Sequence, residues 1–154
     1  MTFELRRVQV IPAAREEVFG FFAEARNLEL ITPPFLRFRI TTPEPKVHAG
    51  AVLEYALRLH AVPVRWRTLI ESFDVPAVFV DRQIAGPYRL WHHTHLFRQH
   101  PEGTEMTDIV RYQLPLGRVR PLSDLAARVV RRDLDRIFDY RRHVVAEAFT
   151  CYDR

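Results

Sequence analysis

The chain has 154 residues, 47% of them hydrophobic and 12% aromatic, and a formal net charge of +4. That is material for one domain over 1–154 with a sizeable core; a second independent core does not fit, and a disordered chain would be far poorer in apolar residues. A single cysteine, Cys151, excludes an internal disulfide framework and a cysteine-rich metal site. No apolar run approaches the roughly 20 residues of a membrane-spanning helix, and the N-terminus carries no signal-peptide core, so a soluble cytoplasmic protein is expected.

The charge is unevenly placed. Lys46 is the only lysine, and residues 118–142 hold eight Arg against four Asp, so the whole basic excess falls on that segment. Such a stripe can attract nucleic acid or acidic lipid. The i,i+4 spacings of Asp124 with Arg128 and of Arg131 with Asp135 instead read as an ordinary solvated helix face. No specific nucleic-acid partner is therefore expected.

In chain order, residues 3–10 predict a strand. Residues 14–25 predict a helix, with Glu16 and Glu17 favourable in its first turn and Val18, Phe19 and Phe22 on one face. A short second helix is expected over 27–31. Proline and glycine then cut the chain into strand-like blocks at 35–42, 51–60, 64–73, 77–84, 89–99 and 104–114. A long helix closes the chain over 123–149, with Ser123 as its expected N-cap. Its apolar face runs through Leu125, Val129, Val130, Leu134, Ile137, Phe138, Val144, Val145, Ala148 and Phe149. The resulting order, β-α-α followed by six strands and a helix, predicts an α+β fold. A seven-stranded antiparallel sheet would curl around the last helix, leaving room for a cavity between them.

Several segments resemble the START-like (SRPBCC) superfamily, which includes birch-pollen-allergen-like proteins and polyketide cyclase/dehydrases. They are Ile11-Pro12-Ala13 leading into Val18-Phe19-Gly20-Phe21-Phe22, and Asn27-Leu28-Glu29 followed by Ile31-Thr32-Pro33-Pro34. Further on come Phe79-Val80-Asp81-Arg82-Gln83, Gly86-Pro87-Tyr88, Trp91-His92-His93-Thr94-His95 and Ile137-Phe138-Asp139-Tyr140-Arg141. The resemblance spans essentially the whole chain and implies the helix-grip fold. It does not select among the lipid carriers, cyclases, hydrolases and co-chaperones that share the fold.

Strand alternation identifies the side chains facing the cavity. In 104–114, Glu105, Thr107, Arg111 and Gln113 read as outward, leaving Met106, Asp108, Val110, Tyr112 and Leu114 inside. The same reading puts Leu53, Tyr55, Leu57 and Leu59 inside in 51–60, and Val64, Trp66, Thr68 and Ile70 inside in 64–73. Phe79, Asp81 and Gln83 read as inward in 77–84, and Trp91, His93, His95 and Phe97 in 89–99. A turn centred near Pro101-Glu102 opposes His95 to Asp108 and Phe97 to Met106. One centred near Pro87 opposes Asp81 to His93 and Gln83 to Trp91, so each histidine is expected to meet a carboxylate. On the last helix, Arg141 and Asp133 fall within the apolar arc. A buried Arg141 needs an anionic partner, and Asp81 or Asp108 is the natural one, suited to a bidentate contact.

The expected ligand-binding set is Tyr55, Trp66, Thr68, Phe79, Asp81, Gln83, Trp91, His93, His95, Asp108, Tyr112 and Arg141, holding a small hydrophobic or amphipathic molecule such as a lipid, isoprenoid or polyketide-like compound. A His opposed to an Asp also serves as a plain structural pair. As an alternative, His93 or His95 with Asp108 would supply a general base and its orienter for cyclase/dehydrase chemistry. A two-His-one-carboxylate metal set is a further arrangement, but i,i+2 histidines arise readily by chance, so no metal and no cofactor is expected. Interaction with a macromolecule through the Arg-rich helix is the remaining alternative. His48, His60, His92, His100 and His143 read as surface or loop residues.

Overall fold

The computed structural model describes residues 1–115 and 122–150, without the side chains of 122 and 123. The last helix starts at Leu122, so Ser123 is its second residue and not the expected N-cap; Cys151 lies outside what is described. The elements are β1 (Phe3–Ile11), α1 (Arg15–Ala23), α2 (Ala25–Leu30), β2 (Arg39–Ile40), β3 (Val52–Leu59), β4 (Val62–Asp74), β5 (Val78–Ala85), β6 (Leu90–His100), β7 (Gly103–Gln113) and α3 (Leu122–Thr150). One 3-10 turn, Pro34–Leu36, precedes β2. Strands β2 to β7 form a meander, and β1 joins β7 at the far edge, giving the order β1-β7-β6-β5-β4-β3-β2 with every pairing antiparallel.

Tight turns set the register. His60 and Ala61 both take positive φ, 48° and 69°, the handedness a two-residue β3–β4 hairpin requires. In β6–β7, His100 pairs with Gly103 around Pro101-Glu102, which places His95 opposite Asp108 and Phe97 opposite Met106. Irregularities in β4 at Arg67/Thr68 and Ile70/Ser72 let that strand bend.

The strand expected over 35–42 shrinks to the two residues of β2. Pro34 starts a 3-10 turn, and Arg37 takes φ 45° at its end, so extended pairing begins only at Arg39. Gly103 marks a close approach. Its φ is +130°, and a Cβ there would lie 2.2 Å from the Ile11 carbonyl oxygen. Beside it the Thr104 hydroxyl donates to the Ala13 carbonyl at 2.8 Å, fixing the entry to α1.

Helix α3 lies against the sheet in three zones. Leu134 and Phe138 pack with Leu5, Val110 and Tyr112; Ile137 joins the cluster around Leu53, Leu57 and Ile70; Val145 and Phe149 pack with Ile11, Phe97 and Met106. Polar ties hold its flanks. Arg7 donates to Asp135 at 2.6 Å from β1, and His60 meets Asp133 at 2.6 Å from the β3–β4 turn. Asp133, expected in the apolar arc, thus faces a hairpin tip rather than the core. Leu125 and Val129, also expected on the packed face, are 61% and 41% exposed. Among the described residues, no helix is long and apolar enough to cross a membrane.

Candidate functional site

Between the sheet and α3 lies a cavity of about 170 Å³. Its wall is mostly apolar: Leu53, Tyr55, Leu57 and Trp66 from β3 and β4, Trp91 from β6, and Ile137 and Phe138 from α3. The indoles of Trp66 and Trp91 meet edge to face at 5.2 Å, and Tyr88 packs on both. The polar end is formed by Thr68, Asp81, His93, His95 and Arg141.

That end follows from the pleat. His93 and His95 are two apart on β6, so both point inward, and their rings lie 3.8 Å apart. On one flank β5 puts Asp81 opposite His93; on the other β7 puts Asp108 opposite His95. The shorter contacts run diagonally. His93 Nε2 lies 2.8 Å from Asp108 Oδ1, and His95 Nε2 lies 2.9 Å from Asp81 Oδ2. The directly opposed pairs are longer, His95 Nδ1 to Asp108 at 3.1 Å and His93 Nδ1 to Asp81 at 3.6 Å. Each imidazole therefore spans both carboxylates.

The environment drives these groups apart. Burial pushes both imidazoles toward the neutral form. For His95 the hydrogen bonds and negative charge of Asp108 and Asp81 outweigh burial, so its pKa is raised. For His93 burial and the neighbouring His95 charge prevail over the same two carboxylates, so its pKa is lowered. Burial pushes the carboxyls up, but hydrogen bonds from the histidines and the Arg141 charge overcome it, and both Asp81 and Asp108 titrate below their usual range. The surroundings thus favour charged Asp81 and Asp108, favour the imidazolium at His95 and the neutral ring at His93, and set the Arg141 guanidinium against Asp108.

Arg141 reaches Asp108 through Nη1 alone, at 3.5 Å, while its guanidinium lies over the Phe138 ring at 4.9 Å. The bidentate contact expected from the sequence does not form, and the buried Arg141 Nε has no hydrogen-bond partner. Asp81, His93 and His95 offer donor atoms within 4.8 Å of one another, which is the spacing of a shared metal. A cation there would have to break the His95–Asp81 contact that now joins two of those donors.

Three expected cavity residues lie elsewhere. Asp108 sits behind the histidines and borders a separate crevice with Arg7 and Arg142. Gln83 folds back on the β5–β6 turn, donating to the Tyr88 carbonyl at 2.6 Å. It lies past the last registered β5–β6 pair, so the expected pairing with Trp91 is not made. Tyr112 is core, 1% exposed and stacked on Phe3. Thr107, expected outward, is 3% exposed; it lies on the interior strand β7, in register between Val8 of the edge strand β1 and Leu96 of β6. Conversely, Tyr88 and the wall from Phe22, Leu28, Leu36 and Phe38 were not among the expected residues. The signal for Tyr88 was its place beside the Gly86-Pro87 turn; the others belong to packing of α1, α2 and the β2 approach that periodicity does not orient.

Neither a protein-family model nor a curated protein matches this sequence. Solved structures do match along nearly its full length. The Zhui aromatase/cyclase from Streptomyces sp. R1128 is similar with a TM-score of 0.78 at 14% identity, over 100% of this chain and 97% of that one. TTHA0849 from Thermus thermophilus is similar with a TM-score of 0.76 at 16% identity, over 98% and 99%. Ginseng major latex-like protein 151 from Panax ginseng follows with a TM-score of 0.66 at 13% identity, over 96% and 97%. At these identities the likeness carries the fold alone: the chain adopts the helix-grip fold of START-like and birch-pollen-allergen-like proteins.

Proposed function

We propose that this domain binds one small amphipathic molecule in the cavity between the sheet and α3, with its apolar body against Trp66, Trp91, Leu57 and Ile137. The observation that carries this reading is an aromatic and aliphatic cavity ending on a buried His–Asp–Arg cluster. A dry structural core gains nothing from such a cluster, because each polar group must be desolvated and then satisfied. Pockets lined by apolar groups with a few convergent polar ones are the usual form of small-molecule sites.

The size narrows the ligand. An engineered cavity of about 150 Å³ takes benzene, whereas drug-sized ligands occupy roughly 300–1,000 Å³. The cavity therefore suits a compact ring or short branched chain; an extended lipid or full-length polyketide would need α3 or the α1–α2 segment to move. Native mass spectrometry of the protein isolated without denaturation tests this. One retained molecule per chain, lost when Trp66→Ala or Trp91→Ala opens the wall, is the expected result. Retention unaffected by both changes would overturn the reading.

A cyclase/dehydrase activity is the second reading. It is favoured by two adjacent imidazoles held on opposite sides of their usual pKa, the pattern of an acid and a base in one site. It ranks second because His95 Nε2 is held by Asp81 and its buried Nδ1, which has no hydrogen-bond partner, lies 3.1 Å from Asp108, so the two carboxylates stabilise the imidazolium rather than ready it to release a proton.

A further inference from the structure

Among the described residues, Asp81, His93 and His95 are the one group of three metal-capable side chains with donor atoms within 4.8 Å of one another. All three line the cavity. The atom they share is Asp81 Oδ2, 3.6 Å from His93 Nδ1 and 2.9 Å from His95 Nε2. In a tetrahedral zinc site, bonds of about 2.0–2.2 Å put neighbouring nitrogen and oxygen donors roughly 3.3 Å apart. The two separations bracket that value. The opposite ring nitrogens face Asp108, which does not line the cavity: His93 Nε2 lies at 2.8 Å and His95 Nδ1 at 3.1 Å. A carboxylate behind a ligating histidine holds its N–H and turns the other nitrogen to the metal. Here one carboxylate stands behind two. As the rings lie, His95 Nδ1 is buried without a hydrogen-bond partner, which marks a cluster whose bonding is incomplete.

We propose that Asp81, His93 and His95 bind one divalent transition-metal ion of the zinc class, with Asp108 as the positioning residue behind both imidazoles. Two imidazole nitrogens and one carboxylate oxygen suit zinc or cobalt, whereas magnesium and calcium take oxygen donors. The ion takes the place of the hydrogen bond between His95 and Asp81. His95 then coordinates through Nε2 and keeps its ring proton on Nδ1, toward Asp108. The Arg141 guanidinium, whose charge opposes such an ion, makes its ion pair with Asp108 on β7, and β6 separates that strand from β5, which carries Asp81. Three protein donors leave a four-coordinate ion one further position, and because all three line the cavity, that position opens into it. The site thus supplies a Lewis acid at the cavity's polar end. The i,i+2 histidines, which carry little weight in the sequence, gain it from the carboxylate on each flank.

Metal binding is measured on the untagged protein, stripped with a chelator and dialysed against zinc, with magnesium and calcium in parallel. One zinc per chain is expected, bound far more tightly than either of the others. Cobalt in its place should give the intense visible absorption of a four- or five-coordinate ion, and X-ray absorption of the zinc-loaded wild type should show two imidazoles on the metal. His93→Gln and His95→Gln should each abolish the cobalt absorption. Asp108→Asn should weaken zinc by about 10–100-fold with one ion still bound. His143→Gln, at an exposed histidine beside Glu147, should change nothing. Thermal unfolding checks that each variant is folded, and the X-ray absorption result stands without any variant. Lack of stoichiometric zinc, the weak cobalt spectrum of a six-coordinate surface ion, magnesium binding as tightly as zinc, or full zinc affinity in both histidine variants would overturn the proposal. Unchanged affinity in Asp108→Asn would overturn its positioning role. The retained-molecule measurement judges the cavity reading independently of all of these.

Discussion

Asp108 is the residue on which the polar cluster depends. It accepts from His93, faces His95 and receives Arg141, all within 3.5 Å, at 4% exposure. Removing it leaves two imidazoles and a guanidinium without that anion, so Asp108→Ala should cost about 3–5 kcal/mol, the range for breaking a buried pair. Removing Arg141 takes away one long contact while both histidines still hold the carboxylate. Arg141→Met should cost only about 1–3 kcal/mol, the scale of one hydrogen bond to a charged group. Chemical denaturation of both variants checks the order, and equal losses would contradict it. The two histidines also give stability a pH optimum. His95 has a raised folded pKa, so its contribution is complete below the unfolded value of about 6.5 and is lost as pH rises through the folded value. His93 has a lowered one, so its contribution is present above about 6.5 and is lost as pH falls toward the folded value. The melting temperature should peak near pH 6–7. His95→Asn should flatten the alkaline limb and His93→Asn the limb just below neutrality.

Elements show where sequence reading succeeds and where it stops. The hairpin registers were legible because Pro101-Glu102 and Gly86-Pro87 leave little freedom for the turn, and Glu105 and Arg111 mark the solvent face of β7. From those residues the opposition of His95 to Asp108 and of His93 to Asp81 followed. The diagonal bonds did not. Register fixes Cβ positions, whereas an imidazole with a nitrogen on either side chooses among carboxylates by ring rotation. Nor could the pattern say where α3 overhangs. A 29-residue helix is about 43 Å long and an 11-residue strand about 36 Å, so one apolar stripe covers both packed and projecting turns. Leu125 and Val129 carry the same signal as Leu134 and Phe138, yet stay exposed. Two glycines make a contrast that only the structure provides. Gly103→Ala sets a methyl against the Ile11 carbonyl at a positive φ and should destabilise by about 2–4 kcal/mol. Gly20→Ala, at an exposed position of α1 with nothing within 4 Å, should stabilise by up to about 1 kcal/mol. Denaturant midpoints decide both signs.

For the molecule as a whole, Arg141 is the one arginine of the basic segment that lines the cavity among the described residues. Arg131 pairs with Asp135, Arg7 joins the same carboxylate from β1, and Arg136 lies over Phe35 at 4.6 Å. The stripe along α3 is thus partly neutralised, and binding to short RNA or DNA should be micromolar at best, independent of sequence and lost by about 0.15 M salt. Nanomolar sequence-selective binding at that salt would shift the functional reading to the helix. Burying a polar His–Asp–Arg cluster beside an apolar cavity is costly, and a ligand in that cavity, under α3, would offset it. The most direct test is an NMR titration of labelled protein with toluene, following intermolecular NOEs. Contacts to the methyls of Leu53, Leu57 and Ile137 and to the Trp66 and Trp91 indoles are expected. Contacts confined to Leu125 and Val129 on the open end of α3, with none to the cavity methyls, would contradict the account.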